Sequence, residues 1–230
     1  MNQEKSIEVL ERVIQYKFNN RELVKEALTH SSYANERKIN KYNCNERLEF
    51  LGDAVLELVS SDYIFQRYNE MPEGDMSKLR ASLVCEPALA ECAANIGLGD
   101  LILLGKGEDA NGGRLKASVT SDAFEAVLGA MYLDGGMEPV KAFIHKHVLS
   151  DCEQKRTQSD SKSVLQEIVQ AKNLGNISYE VTGEAGPEHD KVFEVQVFID
   201  GTPYGTGNGR NKKTAEKAAA YEAVLSIRNT

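Results

Sequence analysis

The sequence lacks the features that would mark a membrane protein or a disulfide-stabilised secreted protein. No run of about 18 apolar residues occurs, so no segment is expected to cross a bilayer. The N-terminus carries acids early and lacks the basic start and apolar core of a signal peptide. The four cysteines include no CxxC pair and no metal-ligand spacing. These absences predict reduced thiols in a cytoplasmic protein.

The chain also lacks an excess of basic residues. Its formal net charge is −8 over 230 residues, and both halves of the chain share the acidic balance. A negative net charge argues against a nucleic-acid partner, but a local cluster of cations matters more than the sum. Any site for nucleic acid is therefore expected to be a small basic patch.

Two segments of different periodicity divide the chain. Residues 3–149 have apolar residues at helical spacings of three and four, and strand-like alternation is scarce. A polar stretch at 150–161 has no large apolar residue and predicts a flexible linker. Residues 162–230 predict the order α-β-β-β-α, with a tight turn between the last two strands. We therefore predict an all-α domain over 1–149 and a small α+β domain after the linker.

An acidic stripe runs along an otherwise apolar segment, NERLEFLGDAVLE at 45–57. Wound as a helix, the segment places four acids within about 80° of one another: Glu46, Glu49, Asp53 and Glu57. Like charges at such spacings destabilise a helix. Apolar residues cover most of the remaining circumference. This pattern predicts a largely buried helix whose acids need a nearby cation or strong hydrogen-bond donors.

A second helical segment at 120–134 carries Asp122 and Glu125, three residues apart, among small and apolar residues. If the two acidic faces pack together, these acids join Glu49 and Asp53 in an all-oxygen cluster. Hard divalent cations such as Mg²⁺ prefer such ligands, and bound ions of this kind activate water and stabilise a phosphodiester leaving group. Chance is the alternative explanation, because acids three residues apart are common in helices.

A cluster of cations opens the last predicted helix, in GRNKKTAEK at 209–217. Arg210, Lys213 and Lys217 recur on one helical face, and Lys212 lies beside them. Cations at a helix N-terminus oppose the helix dipole, at about 0.3–1 kcal/mol each. Because a helix N-terminus binds anions, the arrangement suits phosphate groups.

Four more blocks accompany the acidic segment: MPEGDMSKLRASLV at 71–84, LLGKGE at 103–108, GGR at 112–114 and SDAFEAVLGAMYLD at 121–134. With NERLEFLGDAVLE, and in this order, they closely resemble the signature blocks of the ribonuclease III family. Residues 158–227 resemble the double-stranded-RNA-binding domain that follows in the bacterial enzymes. The resemblance covers nearly the whole chain. Polar Thr120 and Ser121 stand where the family often has apolar or small residues.

The resemblance implies a dimeric endonuclease that depends on Mg²⁺, with Mn²⁺ as a substitute, and cuts double-stranded RNA. It implies that Glu49, Asp122 and Glu125 ligate the metal. Asp53 would support the site and the attacking water, so Asp53 and Glu125 are the predicted catalytic residues. None of the four acids is substituted here, which favours an active enzyme.

The same resemblance implies roles for further residues near the acidic stripe. Glu46 and Glu73 match additional acids of the family's cleavage valley, and Glu57 is expected at the surface or behind the site. The family places the aromatic that matches Phe50 in the subunit interface, where it fills a pocket on the partner. A core phenylalanine is the alternative for Phe50. Two-fold symmetry would then align two catalytic centres along one duplex.

For the second domain, the resemblance implies three contacts with a duplex. The first helix, with Gln166 and Glu167, would lie on a minor groove, and the loop with Pro187 and His189 would enter the next one. The basic start of the last helix would span the major groove between them. Such contacts read 2′-hydroxyls and shape rather than sequence. A solvated loop histidine is the alternative for His189, and His30 is interpreted as structural.

We therefore predict a homodimeric endoribonuclease that leaves 5′-phosphate and 3′-hydroxyl ends with short 3′ overhangs. Its expected substrates are ribosomal RNA precursors and other structured RNAs, and neither a membrane nor a small-molecule cofactor is expected. The alternative is a protein that binds duplex RNA as a regulator without cutting it. The complete set of four carboxylates favours the enzyme.

Overall fold

Helices dominate the fold, and the only sheet in the described part of the chain lies near the C-terminus. The structure is a computed structural model that describes residues 3–38, 40, 42–187 and 190–228. The chain divides into two units, residues 1–152 and 153–230. No helix in the described ranges is both long and apolar enough to cross a membrane.

The described residues of the first unit form nine α-helices joined by short turns. In chain order they are α1 (Gln3–Ile14), α2 (Arg21–Ala27), α3 (Ser31–Glu36), α4 (Glu46–Arg67), α5 (Glu73–Val84), α6 (Glu86–Asn95), α7 (Lys106–Ala110), α8 (Ala117–Gly135) and α9 (Met137–His147). Side chains cap the N-termini of several of these helices. The Asn20 side chain accepts a hydrogen bond from the Glu22 amide, and His30 accepts one from the Ser32 amide. His30 thus has a structural role, as the sequence indicated.

Helix α8 lies at the centre of the first unit. Between Val119 and Met131 every residue of α8 is buried except Asp122 and Glu125. Phe124 and Leu128 are fully buried in the core. A helix that is apolar around almost its whole circumference must be surrounded by other helices. The two acids of α8 therefore mark the one place in this stretch where the central helix reaches the surface.

The second unit contains a three-stranded antiparallel sheet covered by helices. Its elements are α10 (Cys152–Ser159), α11 (Ser161–Ala171), β1 (Ile177–Ala185), β2 (Val192–Ile199), β3 (Thr202–Gly209) and α12 (Lys212–Arg228), and the strand order is β1-β2-β3. Asp200 and Gly201 join β2 to β3 with φ of 49° and 79°, the left-handed values of a tight hairpin turn. The predicted α-β-β-β-α order and the helical first domain are confirmed.

The sheet and the last helix pack backbone against backbone. Val195, Val197 and Ile199 alternate along β2 and are buried in the core of the unit. On β3, a Cβ atom added to Gly207 would lie 2.2 Å from the Ala219 amide nitrogen. Glycine on the strand and alanine on the helix thus permit an approach that larger side chains would block.

Helix α10 differs from the prediction of a flexible linker over 150–161. Residues 152–159 are helical, and Thr157 is buried although the segment lacks large apolar side chains. Polar contacts hold this helix: Arg228 donates to Thr157 Oγ1 at 3.2 Å and to Glu153 Oε1 at 2.8 Å. Hydrophobic periodicity detects apolar packing, so it gave no signal for a helix attached through ion pairs and hydrogen bonds.

Candidate active site and RNA-binding surface

Two glycines let α4 and α8 cross at very short distance. A Cβ atom added to Gly52 on α4 would lie 1.8 Å from the Glu125 carbonyl oxygen. One added to Gly129 on α8 would lie 2.2 Å from the Leu48 carbonyl oxygen. Neither position accepts a larger residue without moving a helix backbone. The crossing therefore fixes how far apart the side chains beside these glycines can be.

The acids on the two helices meet beside this crossing. Ligand oxygens of Glu49, Asp122 and Glu125 all lie within 4.8 Å of one another, and each of the three residues is partly buried. Glu49 stands three residues before Gly52, and Glu125 contributes the carbonyl that Gly52 contacts. The cluster is made only of carboxylates, the ligand type that hard divalent cations prefer. Its donor set and spacing fit a divalent cation.

Burial raises the pKa values of the three clustered acids, and the charges of neighbouring acids add to the effect. The pKa of Glu125 is raised to about 8, mainly by burial and then by the negative charges of Asp53 and Glu49. Burial also raises the pKa of Glu49, followed by the charge of Asp122. For Asp122 burial again raises the pKa, and a hydrogen bond from Ser121 opposes the effect. The site therefore favours protons or a cation over three bare carboxylates.

Asp53 and Glu57 continue the acidic stripe along α4 and have different surroundings. Asp53 is exposed, and its charge is the second cause of the raised pKa of Glu125. Glu57 forms an ion pair with Arg80 of α5, with 2.7 Å between its Oε2 and the arginine Nε. Arg80 also donates to Ser61 Oγ at 2.9 Å. Asp53 thus faces solvent beside the three clustered acids, whereas Glu57 is tied to the neighbouring helix.

The two additional acids expected in a cleavage valley lie at the beginnings of helices. Glu46 is exposed in the first turn of α4, and its charge contributes to the raised pKa of Glu49. Glu73 is exposed in the first turn of α5 and accepts a hydrogen bond from Ser77 Oγ at 2.8 Å. Neither belongs to the three-carboxylate cluster.

An apolar stripe is exposed on α4, on a different side from the core. We define it as Phe50, Ala54, Leu58 and Phe65, which share one helical face. Phe50 is 81% exposed, so the alternative of a core phenylalanine is wrong for the single chain. Leu58 and Phe65 are 59% and 69% exposed, although the sequence predicted a largely buried helix. Contiguous apolar surface of this kind marks an interaction site.

The cations at the start of α12 are all exposed. Arg210 precedes the helix, and Lys212, Lys213 and Lys217 lie in its first two turns. Asn211 supports this end of the helix, because its Oδ1 accepts hydrogen bonds from the Thr214 amide at 2.9 Å and from Thr214 Oγ1 at 3.0 Å.

The other predicted RNA contacts lie on α11 and in the loop after β1. Gln166 and Glu167 are exposed on α11, and Glu167 is paired with Arg156 of α10. Pro187 is exposed in the loop. His189 lies outside the described residues.

Two family models match the chain, one in each of its two structural units. Residues 20–152 match the family described as Ribonuclease-III-like, and residues 161–227 match the Double-stranded RNA binding motif. The chain belongs to the ribonuclease III family. The resemblance inferred from the sequence blocks is therefore confirmed.

Individual members of the ribonuclease III family are similar over most of their length. Ribonuclease 3 of Shouchella clausii is 49% identical over 212 residues, which are 91% of this chain and 82% of the relative. Ribonuclease 3 of Caldanaerobacter subterraneus subsp. tengcongensis is 47% identical over 221 residues, 95% of this chain and 96% of the relative. The solved nuclease domain of Ribonuclease III from Campylobacter jejuni matches with a TM-score of 0.57 and 46% identity, covering 61% of this chain and 97% of that one.

Gly52 and Gly129 are the site-forming residues that the sequence reasoning missed. Each lies in a block that carries the family resemblance, three or four residues from an acid of the cluster. The available signal was a glycine inside a helical pattern, which costs helix stability and points to close backbone approach. Only the pairing of one such glycine on each helix would have predicted the crossing.

Proposed function

We propose that this protein is a metal-dependent endoribonuclease that hydrolyses phosphodiester bonds of double-stranded RNA. The observation that carries the proposal is the cluster of Glu49, Asp122 and Glu125, with ligand oxygens within 4.8 Å of one another. It occurs in a chain of the ribonuclease III family that also contains a double-stranded RNA binding motif at 161–227. A nuclease site and a duplex-binding domain in one chain support cutting of duplex RNA.

Mg²⁺ is the proposed ion, with Mn²⁺ as a substitute, and Glu49, Asp122 and Glu125 are its proposed ligands. The residues fit such an ion because all donors are oxygens and because the carboxyl groups repel one another without a cation. When bound, a divalent ion supplies Lewis acidity and charge stabilisation at the phosphoryl group.

Asp53 and Glu125 are the proposed catalytic residues. Asp53 is exposed beside the cluster, where its carboxylate can accept a hydrogen bond from the attacking water and orient it. Water adds to phosphorus, the bond from phosphorus to the 3′ oxygen breaks, and that oxygen leaves with a proton. The products are 5′-phosphate and 3′-hydroxyl ends. Glu46 and Glu73 are proposed to extend the acidic surface along which the RNA strand lies.

The second unit is proposed to hold the duplex through its shape and phosphates. Arg210, Lys212, Lys213 and Lys217 form an exposed basic patch at a helix N-terminus, which suits phosphate oxygens. Gln166 and Glu167 on α11 and Pro187 and His189 in the loop are the proposed minor-groove contacts. Such contacts recognise 2′-hydroxyls, so structured precursors of ribosomal RNA and similar duplexes are the proposed substrates.

A homodimer is proposed as the working form. The exposed apolar stripe of α4 supports it, because Phe50 is 81% exposed and large apolar side chains are rarely left so. Beside the stripe lies a groove of about 460 Å³, lined by Leu58, Phe65, Met76 and their neighbours on α4 and α5, which suits a phenylalanine from a second copy. The Campylobacter jejuni nuclease domain is described with a region involved in dimer formation. Two copies would cut the two strands at offset positions and leave short 3′ overhangs.

A cleavage assay tests the proposal directly. End-labelled duplex RNA, matched duplex DNA and single-stranded RNA are each incubated with Mg²⁺, with Ca²⁺ and with a chelator. We expect cutting of duplex RNA alone, and only with Mg²⁺. Cutting of duplex DNA would contradict the proposed substrate class. Binding of duplex RNA without cutting under Mg²⁺ would indicate the regulator instead of the enzyme.

A further inference from the structure

A buried arginine from α10 neutralises one of the proposed RNA contacts. Arg156 Nη2 lies within 2.6 Å of both carboxylate oxygens of Glu167 on α11. The Arg156 side chain is only 11% exposed, whereas that of Glu167 is 58% exposed. The pair therefore has its cation inside the second unit and its carboxylate at the surface.

The contact with Glu167 joins α10 to α11, whereas Arg228 attaches α10 to the end of α12. Glu153 lies between the two arginines, because its Oε1 accepts from Arg228 at 2.8 Å and lies 3.9 Å from Arg156 Nη1. Arg228 of α12 holds α10 through Thr157 and Glu153. Arg156 instead contacts Glu167 of α11, eleven residues further along the chain. Anchoring of α10 and neutralisation of Glu167 can therefore be tested by different substitutions.

A bare carboxylate is unfavourable on a surface that approaches a polyanion. The proposed duplex partner carries a phosphate charge at nearly every nucleotide of both strands, so an unpaired Glu167 would be repelled by the strands beside the minor groove. Arg156 compensates this charge and, because its Nη2 donates to both carboxylate oxygens, also restricts their direction. The exposed oxygen lone pairs remain able to accept hydrogen bonds from 2′-hydroxyls.

We propose that Arg156 is a positioning residue for RNA binding, which neutralises and orients Glu167 for contact with the duplex. The inference rests on the proposed function and adds to it a residue outside the double-stranded RNA binding motif at 161–227. It also assigns a use to α10, which forms where a flexible linker was expected. Arg156 itself makes no contact with RNA in this proposal.

Duplex binding by four full-length variants tests the role of Arg156. Dissociation constants for one duplex RNA are measured in Ca²⁺ for Arg156→Ala, Glu167→Gln, the double variant and Arg228→Ala. We expect Arg156→Ala to weaken binding about tenfold, because Glu167 is then charged and free. Glu167→Gln sets the reference for an uncharged side chain at this contact, and the double variant should recover to the binding of Glu167→Gln, because no charge is left for Arg156 to neutralise.

Arg228→Ala is the matched control, because it loosens α10 without changing the charge on Glu167. It should bind RNA within about threefold of the original protein. Equal losses in Arg156→Ala and Arg228→Ala, or no recovery in the double variant, would show that Arg156 only anchors a helix and would overturn the proposal. Unchanged binding by Arg156→Ala would overturn it as well.

Arg156→Lys keeps the test decisive if Arg156→Ala does not fold, as judged by thermal melting. The lysine retains a positive charge near Glu167, so binding should stay within about threefold, and a tenfold loss would overturn the neutralising role. An original protein that binds no duplex RNA would instead contradict the proposed function. The two failures are therefore distinguishable in the same experiment.

Discussion

At the scale of single residues, the environment of Glu125 dominates the chemistry of the first unit. Its carboxyl group is partly buried between α4 and α8, and its pKa is raised to about 8 by burial and by neighbouring acids. An acid in such a place is either protonated or bound to a cation near neutral pH. A substitution that keeps the shape of Glu125 but removes its charge therefore separates its chemical role from its packing.

Replacing Glu125 by Gln should reduce cleavage of duplex RNA by about 10²–10³-fold or more, because a proposed ligand of the metal ion that stabilises the developing charge is lost. Duplex binding should remain within about threefold, because the proposed RNA contacts lie in the second unit. Cleavage rates in Mg²⁺ and dissociation constants in Ca²⁺ are the measurements. The exposed Glu91 on α6 provides the control variant Glu91→Gln, which should cleave normally. An equal loss of binding and cleavage in Glu125→Gln would contradict the assigned role.

The raised pKa of Glu125 predicts how the stability of the metal-free protein depends on pH. The folded carboxyl group of Glu125 holds its proton up to about pH 8, whereas its ordinary pKa is 4.5. Between these values the folded state binds more protons than the unfolded state, so stability falls as the pH rises. We expect the melting temperature in chelator to fall from pH 5 to pH 8.

In Glu125→Gln this fall should be smaller by about 3 °C or more, the shift that about 1 kcal/mol produces in a protein of this size. Thermal melts at several pH values measure it, with Glu91→Gln as the control that keeps the original slope. Identical slopes in all three proteins would rule out Glu125 as the source of the effect.

At the scale of elements, the crossing of α4 and α8 determines the site. Helix propensity disfavours Gly52 and Gly129 inside these helices, so their presence needs a tertiary reason. That reason is the contact of Gly52 with the Glu125 carbonyl and of Gly129 with the Leu48 carbonyl. The distance between the two acidic faces is thus set by backbone contact and not by the length of flexible side chains.

Replacing Gly52 by Ala should destabilise the protein by about 1–3 kcal/mol, because the new methyl group overlaps the Glu125 carbonyl. It should also weaken binding of Mg²⁺, because the helices must separate. Urea unfolding and metal titration measure the two effects. Gly74 on α5 is the control: a Cβ there meets nothing within 4 Å, so Gly74→Ala should leave both properties nearly unchanged. Full metal affinity in Gly52→Ala would show that the crossing does not set the site.

The sequence predicted the acidic faces of α4 and α8 because helical periodicity alone places residues three or four apart on one side. It did not predict that Gly52 meets Glu125, because that contact joins residues far apart in the chain. It also failed at α10, where Arg156 and Thr157 are held by polar partners that leave no apolar pattern. The hairpin at Asp200 and Gly201 was predictable because its turn chemistry is local.

At the scale of the whole molecule, charge is distributed unevenly. The net charge is −8, yet the start of α12 gathers exposed cations at a helix N-terminus. The first unit presents clustered carboxylates and the exposed apolar stripe of α4. This distribution supports the proposed roles of three surfaces: the basic patch for an RNA duplex, the clustered carboxylates for a cation and the apolar stripe for a second copy.

Replacing Phe50 by Glu should lower the fraction of dimer in sedimentation velocity, because a charge would be buried at the proposed interface. The expected shift is from mainly dimer to mainly monomer at micromolar concentration, a loss of about tenfold or more in association. Val13→Glu on α1, another exposed apolar position outside the stripe, is the control and should stay dimeric. A dimer unaffected by Phe50→Glu would place the interface elsewhere.

The backbone contact between α4 and α8 also restricts how the first unit can fluctuate. A side chain at a helix crossing can rotate aside and let the helices slide, but two touching backbones have nothing to rotate. Motions that separate the two backbone segments carrying the carboxylates must then part the two central helices, which amounts to unfolding the unit. Amide protons around Gly52 and Gly129 should exchange with solvent only at the rate of global opening. The backbone that carries the residues proposed for chemistry would then open least often, in contrast to active sites built on mobile loops.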